Sequence, residues 1–407
     1  MAKFIYDYEL FSEARRRTAA ILDMPIFYPL KTLNITNELF ESSINPASII
    51  ADQGHGFDVT SEAEIVTAER AIGLSCKCVE QVGVELARRV IFTAPHARFD
   101  TLRFAFEYGV RIFVIDSEDA IGKLLFAAES EGVQPSEISV LVRILPKSNI
   151  EKPAAIYQMG RKFGTDAPIE LANCINDAGM RFVGLSFHVG SQMTGNVMAW
   201  RNAAEECSKV LNNIREYGYK RQYSGGEYIR KNILCDFPGI SGPVIDIGGG
   251  FPTIFNKNAS MENLALIAKT LQGIEWPMIA EPGRIIAAWC LDLEADVIGK
   301  REILSSQNDD EKRWVYLDAG RFNAMPEAGE RQFAVEMYFH NELQEPTNTS
   351  FMLAGPTCDG QDVLGSYRLS NKIKAGWKIR FKNVGAYSLS MSSDRYNGMP
   401  VPHVRMK

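Results

Sequence analysis

The chain has 407 residues, 46% of them hydrophobic and 23% charged, and a formal net charge of −6. Roughly two to three domains fit that length. Both signs of charge are interspersed, which excludes a basic nucleic-acid footprint, and seven scattered cysteines argue for reduced thiols over a disulfide framework.

Met1-Ala2-Lys3-Phe4 leads toward Arg15, Arg16 and Arg17 without an apolar run of leader length. No segment approaches the ~20 apolar residues of a membrane span. A soluble cytoplasmic protein is expected. Residues 1–25 are read as a segment that joins a later β domain.

From residue 26 to 283, apolar runs alternate with helix-like periods. The predicted strands are Ile26–Leu30, Gly56–Val59, Val90–Phe92, Ile112–Ile115, Val140–Ile144, Phe182–Phe187, Val244–Ile247 and Met278–Ala280. Predicted helices include Ser61–Ile72, Ser117–Ser130, Glu170–Ala178, Met198–Tyr217 and Ala259–Leu271, the first with Ser61 as N-cap and Glu64 as its capping-box partner. Eight such units predict an α/β fold, a (β/α)₈ TIM-type barrel, with an open doubly wound sheet as the alternative. The barrel is favoured because Lys31, Asp58, Arg143, His188, Gly248 to Gly250 and Glu281 all fall at or just beyond strand C-termini, where barrel active sites are built. Tyr219–Pro243 is polar and glycine-containing and is read as an exposed loop. After Arg284 short β-type runs follow, Trp314–Leu317, Phe333–Phe339, Ser350–Leu353 and Trp377–Phe381, which predict a C-terminal β domain over 284–407.

Lys31 ends the apolar run Ile26-Phe27-Tyr28-Pro29-Leu30. Partial burial there would lower its pKa, and a neutral amine can form a Schiff base with an aldehyde. A strand-end lysine is more often a surface residue, so three later stretches matter. Asp246-Ile247-Gly248-Gly249-Gly250-Phe251-Pro252 lets backbone N–H groups crowd an anion. It lacks the dinucleotide and Walker spacings, so a single phosphate cup is the reading, with a ligand-free glycine turn as the bland alternative. Glu281-Pro282-Gly283-Arg284 offers a guanidinium for a phosphate and a carboxylate able to keep a ring nitrogen protonated. His188 ends an apolar strand, and Ser191 adds a hydroxyl. With five histidines in no metal spacing and no G-x-S-x-G elbow, neither a metal site nor a serine hydrolase is expected. Gly355-Pro356-Thr357-Cys358-Asp359-Gly360-Gln361-Asp362 carries a thiol for proton donation and an acid for a cationic group. Gly385-Ala386-Tyr387 could aim a phenol at a phosphate.

In this order the motifs resemble the fold-type III pyridoxal-phosphate-dependent amino acid decarboxylases, the group that holds the ornithine, lysine and diaminopimelate decarboxylases. The resemblance covers almost the whole chain and implies an alanine racemase-like barrel over 26–283 followed by a β domain. It implies that Lys31 is the Schiff-base lysine, although Tyr-Pro-Leu-Lys-Thr-Leu-Asn departs from the usual Tyr-Ala-Val-Lys-Ala/Cys-Asn. It places Asp58 and Glu64 near that lysine, Arg143 in the ring environment and His188 against the ring face. Ser191, Gly248, Gly249, Gly250, Gly283, Arg284 and Tyr387 would bind the cofactor, chiefly its phosphate, and Glu281 its pyridine nitrogen. Cys358 and Asp359 would enter from the second subunit of a homodimer, with Cys358 or Lys31 returning the proton.

Cys358-Asp359-Gly360-x-Asp362 is similar to the ornithine/lysine branch, since the diaminopimelate branch favours Cys-Glu-Ser. The second acidic residue of the ornithine enzymes has no clear match in Phe322-Asn323-Ala324-Met325-Pro326-Glu327; Glu327 or Glu330 could replace it. A distal cation on the substrate is therefore expected, with a larger aminocarboxypropyl-bearing substrate as an alternative. A racemase on the same barrel and a non-catalytic homologue are the competing readings.

Overall fold

A computed structural model describes residues 1–35, 43–147, 155–157, 162–222, 228–254, 256–303, 305 and 312–407, with the backbone alone for 155–157, 219–222 and 228–231. The chain divides into two compact units. One comprises Arg15–Leu30 and Ala47–Ile285; the other comprises Met1–Ala14, Lys31–Pro46 and Ile286–Lys407.

The first unit is a closed parallel barrel. Its strands are β1 (Phe27–Pro29), β2 (Gly56–Val59), β3 (Val90–Phe92), β4 (Ile112–Ile115), β5 (Ser139–Arg143), β6 (Arg181–Ser186), β7 (Val244–Asp246) and β8 (Met278–Ile279). Neighbours pair in chain order, and the parallel bridge Ile26↔Ala280 closes the ring. That closure removes the open doubly wound alternative. Each predicted strand exists within a residue or so of its expected ends. Strands covered on both faces read as continuous apolar runs, and all four residues of β4 are indeed buried. Gly184, at φ +138°, marks an irregular register between β5 and β6. A Cβ there would lie 2.0 Å from the Val244 carbonyl oxygen, so only glycine fits.

Ser61 caps the helix Glu62–Gly73 by accepting the Glu64 N–H. The Glu64 carboxylate reaches back one residue further than a capping box requires, to the N–H and hydroxyl of Thr60. The helices Val79–Arg89 and Phe99–Glu107 were not among those predicted. Their first turns hold one acid each and no capping hydroxyl bond, so the usual start signal is weak.

The reading of Tyr219–Pro243 as an exposed loop is corrected. Tyr219–Gln222 and Tyr228–Lys231 pair as an antiparallel hairpin, and Phe237 is buried against Phe27, rings 5.9 Å apart and nearly perpendicular. Phe237 caps the apolar layer of Ile91, Ile112, Leu141 and Val244. Glycines and prolines around it conceal a core residue. Residues 223–227 of this stretch lie outside those described.

The second unit is a mostly antiparallel sheet. Its strands run in the order Glu342–Gln344, Val335–Phe339, Lys378–Phe381, Leu291–Glu302, Arg313–Leu317, Thr349–Ala354 and Val363–Leu369. Lys3–Tyr6 pairs antiparallel with Leu291–Glu302 and parallel with His403–Met406. The N-terminal segment continues into a helix, Tyr8–Leu22, whose residues from Arg15 onward group with the barrel unit. A cross-strand charge cluster ties the first strand in. Burial would raise the Glu294 pKa, but bonds from Arg380 and Lys3 and the nearby Lys378 charge hold it down at about 2. Among the described residues no helix is long and apolar enough to cross a membrane.

Candidate active site

The C-terminal ends of the barrel strands gather a polar set. Asp58, third residue of β2, is 2% exposed and accepts the Thr93 hydroxyl just beyond β3. Arg143 ends β5, its guanidinium 5.2 Å from the centre of the Phe163 ring. His188 lies two residues beyond β6, half-buried. Its Nδ1 accepts the Gly190 N–H at 2.9 Å, so a neutral ring carries its proton on Nε2, the edge nearest Gly249.

The glycine stretch after β7 is held from three sides. Gly248 N–H donates to Asp246 Oδ1 at 2.9 Å, Glu281 N–H donates to the Gly248 carbonyl, and Trp200 Nε1–H donates to the Gly249 carbonyl. Gly250 adopts φ +86°, and a Cβ there would sit 2.2 Å from the Gly190 carbonyl oxygen. Gln192 brackets the loop by accepting the Thr253 N–H at 2.7 Å. The N–H groups of Gly249 and Gly250 have no acceptor among the described residues. Arg284 is 5% exposed and follows buried Pro282 and Gly283, while Ser191 offers a half-buried hydroxyl. Two successive unsatisfied N–H groups are what a phosphate cup requires.

Asp246 is a residue that motif reading passed over. It is fully buried, and burial pushes its pKa to about 7 against the Gly248 N–H bond, with Asp58 adding to the rise and Arg143 opposing it. The Glu281 carboxyl is close enough to Asp246 to oppose that rise. The signal was present in sequence, an acid closing an apolar strand just before the glycines. Because the folded pKa lies above the ordinary 3.8, ionising Asp246 costs stability as pH rises, from nothing below about 4 to the full amount above about 7. In cofactor-free protein, Asp246→Asn should therefore gain on wild type by roughly 2–4 kcal/mol between pH 5 and pH 8. Urea unfolding at both pH values measures this; parallel pH trends in the two proteins would clear Asp246 of the role.

Five predicted residues, Lys31, Glu327, Cys358, Asp359 and Tyr387, belong to the other unit by chain position. Lys31 follows β1 in the 3₁₀ turn Leu30–Thr32. The expected partial burial of Lys31 is corrected: it is exposed, because Thr32 and Leu33 take the inward positions of that turn. Tyr387, at φ +62°, donates its N–H to the Thr32 carbonyl at 2.8 Å, and its hydroxyl accepts from Thr32 Oγ1 at 3.4 Å. The Lys31 turn and Tyr387 are thus neighbours. Cys358 is exposed, 3.8 Å from Asn397 Oδ1, and Asp359 accepts the Tyr396 hydroxyl and, at 2.8 Å, the Gln361 N–H. Glu327 lies 3.9 Å from Arg331, and Glu330 pairs with Arg321 at 3.1 Å. No three acidic, histidine or cysteine residues cluster as metal ligands among those described.

Strand ends that present two successive glycine N–H groups with no acceptor among the described residues, a histidine and a buried acid offer the groups that a phosphorylated ring needs. The sequence profile described as "pyridoxal-dependent decarboxylase, pyridoxal binding domain" matches residues 13–224, and the chain belongs to that family. It is 26% identical over 402 residues to the decarboxylase flvG of Aspergillus flavus, covering 96% of this chain and 81% of that protein. It is 27% identical over 382 residues to the lysine/ornithine decarboxylase of Selenomonas ruminantium, covering 92% and 81%. Its fold is similar to that of the arginine decarboxylase of Paramecium bursaria Chlorella virus, solved with agmatine, at a TM-score of 0.76 and 20% identity over 100% of this chain and 96% of that one.

The protein is a pyridoxal-phosphate-dependent carboxy-lyase. Its own residues fit that cofactor: the unpaired Gly249 and Gly250 N–H groups and buried Arg284 suit the phosphate, and Glu281 is the carboxyl able to face a basic ring nitrogen.

Proposed function

We propose that this chain decarboxylates an amino acid carrying a polar distal group and releases CO₂ and an amine. One observation carries this most: the successive Gly249 and Gly250 N–H groups, without an acceptor among the described residues, buried Arg284, Glu281 and buried Asp246 meet at one end of a closed barrel. Bound pyridoxal phosphate supplies an electron sink for the pair left on Cα when CO₂ departs. Arg284, Gly248, Gly249, Gly250, Gly283, Ser191 and Tyr387 hold the phosphate. Glu281 keeps a proton at the ring nitrogen, with Asp58 and Arg143 setting the charge around the acid pair. His188, fixed by the Gly190 N–H, orients the ring. Lys31 offers the amine that competes with substrate, with Glu64 at the start of the neighbouring helix. Cys358 returns a proton to Cα, while Asp359 and Glu327 meet the distal group. In this reading Cys358 and Asp359 serve a second copy of the chain, so the active form is a homodimer.

The test is CO₂ release from a panel of ornithine, lysine, arginine, diaminobutyrate, meso-diaminopimelate and carboxyl-bearing polyamine precursors, offered to cofactor-loaded protein. One or two members should be turned over, with activity per chain falling on dilution below the dimer's dissociation constant. Loss of substrate chirality without CO₂ would replace this reading with a racemase.

A further inference from the structure

The Gly249–Gly250 peptide joins two residues without a Cβ, so neither side chain restricts how that peptide turns. A neighbouring side chain supplies the constraint. Trp200 is fully buried, and its Nε1–H donates to the Gly249 carbonyl at 3.1 Å. Its ring lies parallel to that of buried Phe251, 5.2 Å between centres and 2° between planes. Trp200 is the second residue of the helix Ala199–Tyr217, which is seated through Ala203, Ala204, Cys207, Leu211 and Ile214. The indole is thus fixed from its helix and from its ring face, and the glycine carbonyl must come to it.

In a trans peptide the carbonyl and the next N–H point in opposite directions. Holding the Gly249 carbonyl on the indole therefore turns the Gly250 N–H away from Trp200. The preceding peptide is set by backbone alone: the Glu281 N–H donates to the Gly248 carbonyl at 2.9 Å, which turns the Gly249 N–H away from Glu281. The Met193 N–H donates to the Gly250 carbonyl at 3.1 Å and holds the following peptide. Each N–H without an acceptor among the described residues therefore belongs to a peptide whose carbonyl is anchored. Donors aimed before an anion arrives need no reorganisation when it binds.

Resting on the reading of this stretch as the cofactor's phosphate cup, we propose that Trp200 is a positioning residue: its indole N–H, through the Gly249 carbonyl, presets the Gly250 N–H for the phosphate.

Pyridoxamine phosphate and pyridoxamine test this, since they differ only by the phosphate and neither has an aldehyde to react with Lys31. Their dissociation constants are measured by calorimetry on the full chain freed of cofactor. Wild type should bind the phosphorylated compound roughly a hundredfold more tightly. Trp200→Phe keeps an aromatic ring against Phe251 and removes the N–H. It should cut that ratio about tenfold, with the pyridoxamine constant unchanged within twofold. Benzothienylalanine at position 200 keeps the indole outline with sulfur in place of the N–H, and should give the same cut whether or not the phenylalanine variant folds. A ratio unchanged within twofold would overturn the role of Trp200. Equal weakening of both ligands would also overturn it, leaving Trp200 as core packing alone. A wild-type ratio near one removes the phosphate-cup reading itself, and this role with it.

Discussion

Lys31→Ala should lower turnover by about three orders of magnitude or more, and the purified variant should lose its cofactor on dialysis. An amine that attacks an aldehyde has no substitute among alkyl side chains, and covalent catalysis is lost whole with its nucleophile. Exposure of Lys31 on the turn Leu30–Thr32 gives this test its value, because nothing in its burial would make the alanine variant unfold. Thr32, which carries the bonds to Tyr387, stays in place. Circular dichroism should therefore be unchanged while activity and cofactor retention collapse together. Cofactor retention and turnover equal to wild type would remove Lys31 from the chemistry.

Glu281→Gln should reduce turnover roughly a hundredfold with cofactor still bound. Glutamine preserves the length of the side chain, so the local fold persists. It cannot hold a proton on a basic nitrogen by ion pairing, which is the function assigned to Glu281. Glu281→Asp, which keeps the charge on a shorter arm, should recover part of the rate. The measurement is single-turnover CO₂ release, with cofactor occupancy read by absorbance after gel filtration. If the glutamine variant keeps full activity, ring protonation does not depend on Glu281. If cofactor is lost instead, the residue serves binding. Asp246 adds a pH signature: with burial pushing its carboxyl to about 7, the wild-type rate should vary across the range near 7, and Glu281→Gln should alter that profile.

The family relationship was readable from residues because its motifs are local. Asp246-Ile247-Gly248-Gly249-Gly250 and Glu281-Pro282-Gly283-Arg284 each sit within one strand–loop unit, where spacing reports geometry directly. The strands were readable for a similar reason: a barrel strand buried on both faces announces itself as a short unbroken apolar run. Helix Val79–Arg89 was not, since it lacks a capping hydroxyl, buries only Leu86 and leaves Val79 and Val84 exposed. Phe237 was hidden among Gly, Pro and Asp, which read as loop wherever they occur.

By itself the sequence determined the alternation of strands and helices, the order of polar residues along them, and hence the barrel and its cofactor. Only the tertiary structure decided the electrical state of those residues. Asp246 becomes an acid titrating near neutrality because its surroundings exclude water, and Asp359 is held in its charged form because Tyr396, 37 residues away, donates to it. Proton affinity and hydrogen-bond occupancy depend on desolvation and on partners distant in the chain, neither of which a local pattern of letters encodes.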